Sequence, residues 1–90
     1  MKLKHLHLNV RDRPASEAFY AAWLGMSVAR REERMTFLTD EDGFELDLMD
    51  DDLPGPLPSW FHFGYRLPSA EAVVELHRRM SEFGLAIRRP

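Results

Sequence analysis

Polar and apolar residues alternate from Leu3 to Val10, with Leu6, Leu8 and Val10 on one side and His5, His7 and Asn9 on the other. A two-residue period of this kind predicts a strand with one buried face. Past Asp12 the spacing changes, and Ala15, Phe19, Ala22 and Trp23 recur at helical intervals. The Asp12 carboxylate is placed to accept from a free backbone N–H of that helix, Pro14 is tolerated in a first turn, and Gly25 supplies a left-handed stop. Short strands are predicted over 27–31 and 35–39. A tight turn at Asp40-Glu41-Asp42-Gly43 then leads into a strand over 44–49, in which Phe44, Leu46 and Leu48 face a core and Glu45, Asp47 and Met49 face away.

Residues 50–59 carry Pro54, Pro56 and Pro58, which lack backbone donors, so this stretch reads as a linker. Alternation returns from Trp60 to Leu67 and predicts a further strand. Ser69 opens a second helix whose Val73, Leu76, His77, Met80 and Phe83 follow helical spacing up to Gly84, and Leu85 to Arg89 reads as the start of another strand. The halves repeat: His62 follows His5, and Ser69 follows Asp12, at one common offset. The chain is therefore expected to be a single domain over 1–90, with a strand–helix–three-strand module over 1–49, a linker over 50–59 and a partial second module over 60–90.

Composition narrows the chemistry. Ninety residues are enough for one core, and a chain this short hides only about 60–65% of its unfolded surface, which makes a partner subunit useful. A net charge of −3 argues against nucleic acid and anionic membranes as partners. Eight of the fifteen acids lie between Asp40 and Asp52, and that stretch contains no base. It does not fit a calcium loop, because counting from Gly43 puts Leu38 and Met49 at the first and last ligand positions. No Cys is present, so thiolate chemistry is excluded. With no signal-peptide pattern or membrane-length apolar run, the expected setting is cytoplasmic.

His5, His7, Asn9, Glu45, Asp47 and His62 all fall on strand faces opposite the apolar ones. Two imidazoles and a carboxylate are the donors of a facial metal triad with open positions, and they suit Fe, Ni, Zn or Mn. A solvent-facing sheet side is polar in any case, which is the plainer reading of the same pattern. His7, on the same face as His5, suits a base or a substrate contact. Arg66 matches an anionic substrate group, and Trp60 and Met49 suit an apolar pocket wall. Phe37, Phe19, Trp23 and Phe83 read as packing residues, and so does His77.

The run Lys4-His5-Leu6 to Asp12, Ala15-Ser16-Glu17-Ala18-Phe19-Tyr20 and Leu24-Gly25-Met26 resembles the vicinal oxygen chelate superfamily, which includes glyoxalase I, extradiol dioxygenases and bleomycin-resistance proteins. The resemblance implies an α+β fold of paired βαβββ modules, a curved mixed sheet with helices on its outer face, and a divalent metal on the concave face. It implies His5 and His62 as metal ligands and Asp47 as the carboxylate, one methylene shorter than the Glu the family has there. Glu45, on the same face, is the catalytic alternative, with His7 beside the substrate and Asn9, Trp60 and Arg66 contacting it. The second module lacks the family's last strands, which leaves three readings: a shortened sequence, a naturally reduced member, or a homodimer, the expected partner state, in which another chain completes the site. Two functions follow from the resemblance: a metal-dependent enzyme of the glyoxalase or dioxygenase kind acting on a small oxygen-rich substrate, or a metal-free small-molecule-binding dimer like the bleomycin-resistance proteins. A non-catalytic truncated module is the third.

Overall fold

A computed structural model describes residues 1–52, 55 and 57–86. The chain forms two compact units, residues 1–59 and 60–90. The first holds β1 (His5–Val10), α1 (Arg13–Trp23), β2 (Ser27–Arg31), β3 (Met35–Thr39) and β4 (Glu45–Asp50), and the second holds α2 (Ala70–Phe83). The four strands make one mixed sheet in the order β1-β4-β3-β2, with β1 parallel to β4 and the other neighbours antiparallel. This is the expected α+β class.

Local chemistry sets the element ends. The Asp12 side chain accepts from the Ala15 N–H at 3.0 Å and starts α1, with Pro14 in the first turn where its missing donor costs nothing. In the β3–β4 turn, Asp40 Oδ1 accepts from the backbone N–H groups of Asp42 and Phe44, both at 2.9 Å. Gly43 there has φ +81°, a conformation that a side chain would strain. The Ser69 hydroxyl accepts from the Ala72 N–H at 3.1 Å to start α2, and Gly84, at φ 103°, closes it.

Register sorts the sheet into two faces. Leu46 of β4 is flanked by Leu6 and Leu38, and Leu48 by Leu8 and Thr36. Leu38, Leu46, Leu48 and Thr36 are fully buried, and Met26 nearly so. Helix α1 packs on this side, where Glu17 meets the buried Thr36: the Thr36 hydroxyl donates to Glu17 Oε2 at 2.8 Å, and Arg31 donates to Oε1 from Nη2 at 2.8 Å and from Nε at 3.0 Å. Burial alone pushes the Glu17 carboxyl up. The hydrogen bonds from Arg31 and Thr36, with the charges of Arg31 and Arg13, outweigh it and hold the group below the usual carboxylate range.

Between Val28 and Arg30 the β2–β3 register shifts, leaving Ala29 unpaired. This bulge sets which arginine goes where: Arg30 pairs with Phe37 and Arg31 with Thr36, so Arg31 reaches Glu17 while Arg30 stands on the opposite face.

Three expectations need correction. Residues 60–67 do not form a strand. Their alternation survives, since the Phe61, Phe63 and Tyr65 rings meet edge to face at 6.4 and 6.3 Å, but no ladder partner joins them among the described residues. Phe83, expected to pack, is 73% exposed at the end of α2. Asp47 was expected on an open polar face but is buried, because β4 is a central strand flanked on both sides. The strand expected over 85–89 lies mostly outside the described residues.

Candidate functional site

On the sheet face opposite α1, paired residues form three cross-strand rows. The first is His5–Glu45–Thr39, the second His7–Asp47–Phe37–Arg30, and the third Asn9–Met49–Met35. Each row takes alternate positions of neighbouring strands, so the strand period and the parallel β1–β4 register together align two histidines beside two carboxylates. Polar groups occupy one side of the face and Met35, Phe37 and Met49 the other.

Asp47 lies at the centre. It is 8% exposed, and its Oδ1 is buried without a hydrogen-bond partner. Native structures rarely leave such an acceptor unmet. One strand step away, Glu45 is half-buried and carries a raised pKa. The hydrogen bond with the Asp47 carboxyl, partial burial and the Asp47 charge all favour its protonated form, against smaller opposing effects of His5 and Arg30.

The histidines are held by specific bonds. His7 Nε2 donates to the Asn9 amide oxygen at 2.7 Å. Asn9 in turn donates from Nδ2 to Asp51 at 3.3 Å. In the second unit, His62 Nδ1 donates to the Trp60 carbonyl at 3.0 Å. Arg30 stacks its guanidinium 4.1 Å above the Phe37 ring and pairs with Glu32 at 3.3 Å. Phe37, expected in a core or dimer contact, is therefore a half-buried wall of this face. Trp60 is 74% exposed and Arg66 is exposed, both in the second unit.

The sheet thus brings together His5, His7, Asn9, Glu45 and Asp47 of the expected site residues. Arg30, Met35 and Thr39 join them without having been anticipated. A hydrophobicity pattern misses Arg30 because the bulge at Ala29 switches its face; a β-branched or aromatic opposite partner gives no warning of that.

His62 donates from Nδ1 to a backbone carbonyl, the kind of bond that orients a metal-bound histidine. The donor set as a whole does not fit a divalent metal: among the described residues no three His, Asp or Glu side chains converge as a metal-binding group. Transition metals bind through several donors at about 2.0–2.2 Å, a geometry absent from the rows above.

A mixed βαβββ sheet with α1 on one side and a polar face carrying Phe37 on the other defines the α+β class of this domain. The profile of the Glyoxalase/Bleomycin resistance protein/Dioxygenase superfamily matches residues 2–90, and the chain belongs to that superfamily. Among solved structures it is similar to a possible glyoxalase from Bacillus cereus, at 32% identity and a TM-score of 0.90, over 100% of this chain and 80% of that one. An oxidase, ChaP-H2, matches at 25% identity and a TM-score of 0.67, over 93% of this chain and 63% of the oxidase. A bleomycin-binding protein complexed with bleomycin shares the fold at 24% identity and a TM-score of 0.64, over 100% and 71% of the two chains. No curated protein matches the chain.

Proposed function

We propose that the face built by His5, His7, Asn9, Glu45 and Asp47 is a small-molecule site, and that the chain acts as a metal-free binding member of its superfamily. The observation that carries this is the unpartnered Asp47 oxygen at the centre of a polar row bordered by Met35, Phe37 and Met49. Ligand sites combine a few fixed polar groups with apolar walls in this manner. The bleomycin-binding neighbour supports the reading through its fold and its bound ligand. One sheet face encloses little of a ligand, whereas small-molecule sites bury most of theirs, so the reading includes a homodimer in which a second copy closes the site.

A backbone-amide NMR map of the full chain titrated with a small-fragment library tests the proposal. Shifts are expected to cluster on β1, β3 and β4, and a sizing column is expected to give a dimer. Hits confined to the groove between α1 and β2, lined by Pro14, Ala18 and Val28, refute it.

The His62 Nδ1–H bond to the Trp60 carbonyl favours a second reading, a metal-dependent enzyme of the glyoxalase or dioxygenase kind in which His62 is a ligand. Elemental analysis after reconstitution with Fe, Ni, Zn and Mn separates the two. Near-stoichiometric metal that is lost in His62→Ala establishes the second reading, and a metal-free chain that takes up none of the four establishes the first.

A further inference from the structure

We infer that the ligand class of this face is a small organic cation, an amidine, guanidine or amine on a flat apolar body, held by N–H donors on Asp47 and Glu45. The inference rests on the reading of the face as a small-molecule site and adds the charge and donor pattern of its ligand.

Three observations point the same way. The Asp47 side chain is more than nine-tenths buried and its Oδ1 has no donor, so the group it lacks is a hydrogen-bond donor and not another acceptor. Glu45 lies beside it on the same face, so the centre of the site presents two acidic groups. The arginines nearby are occupied. Arg30 lies over Phe37 and pairs with Glu32; Arg31 is bound to Glu17; Arg13 donates to the Glu32 and Glu33 carbonyls and pairs with Asp50; Arg34 donates to the Asp50 carbonyl. A carboxylate or phosphate ligand meets acids here, and a neutral carbonyl ligand leaves the Asp47 oxygen unmet.

Shape agrees with charge. Phe37 and the thioethers of Met35 and Met49 border the acidic pair, a surface that takes a flat apolar body. A planar cation places two parallel N–H groups toward one carboxylate, the strongest arrangement open to such a pair. A divalent metal is the lesser match, since the three donors it requires do not converge among the described residues.

The test uses three probes that share one ring and differ in charge: benzamidine, benzamide and benzoate, titrated into the full chain at pH 7 and followed by backbone-amide shifts. Benzamidine is expected to move β1 and β4 amides and to bind at least tenfold more tightly than benzamide, with benzoate inert. Asp47→Asn is expected to weaken benzamidine at least tenfold. Glu45→Gln, at a half-buried position, is expected to weaken it severalfold. Equal binding of benzamidine and benzamide on those amides overturns the cation assignment and leaves the small-molecule face standing, as does full benzamidine affinity in Glu45→Gln. Shifts from none of the three probes overturn both.

Discussion

Thr36→Val probes the link between helix α1 and the sheet core. Thr36 is fully buried and its hydroxyl donates at 2.8 Å to Glu17, whose side chain is only 12% exposed. A hydrogen bond to an ionised partner contributes about 1.5–3 kcal/mol. Valine keeps the shape, and its extra buried methyl returns about 0.8 kcal/mol, so the net loss is about 1–2 kcal/mol. For a domain of this size that corresponds to a fall in Tm of about 4–16 °C. The loss also depends on pH. Glu17 titrates below its ordinary value in the folded chain, so its contribution is fully present above that ordinary value and disappears as pH falls through the depressed one. Urea melts followed by far-UV circular dichroism at pH 7 and pH 3 measure both effects. A Thr36→Val chain as stable as the parent at pH 7, or an equal deficit at both pH values, refutes the account.

Leu46→Ala empties a fully buried position in a central strand and is expected to cost about 2–5 kcal/mol, whereas Leu57→Ala, at a side chain 60% exposed, is expected to cost less than about 0.5 kcal/mol; urea midpoints compare them. Glu45→Gln is expected to raise stability by a few tenths of a kcal/mol at pH 7. The folded-state pKa of Glu45 is raised by Asp47, so the parent loses stability as pH rises from the ordinary carboxyl value through the raised one, and the gap between the two chains closes in acid. A Glu45→Gln chain less stable than the parent at pH 7 contradicts this.

Much of the fold is legible because its signals are local. Alternation in 5–10 and 45–50 gives both strand and face, and the Asp12 and Ser69 caps sit where the helices begin. The polar row is equally readable, since His5, His7, Glu45 and Asp47 are odd-numbered residues of two strands whose odd positions share a face. What pattern does not reveal is which strand lies beside which. Asp47 is buried because β4 has neighbours on both edges, a fact of pairing and not of sequence period. Arg30 reaches Phe37 through a one-residue bulge at Ala29, and an alanine there leaves no mark on a hydrophobicity profile. Trp60–Leu67 alternates as cleanly as β1, yet forms no ladder among the described residues, because alternation sorts side chains while a strand also requires a hydrogen-bonding neighbour.

The parallel pairing of β1 with β4 has a consequence for the order of assembly. β3 and β4 are joined by the five residues 40–44, whereas thirty-four residues separate the end of β1 from the start of β4. Bringing the ends of the longer segment together costs about 1.7 kcal/mol more chain entropy than closing the shorter. The β2–β3–β4 meander is therefore expected to form early, with β1 docking onto the exposed edge of β4 after the folding barrier. Leu8→Ala should then speed unfolding and leave refolding nearly unchanged, while Leu38→Ala slows refolding; equal effects of both on refolding contradict this order. During synthesis β1 is made before β4 yet is expected to find its place after it, so the histidine side of the face waits, unpaired, until the carboxylate side is already built.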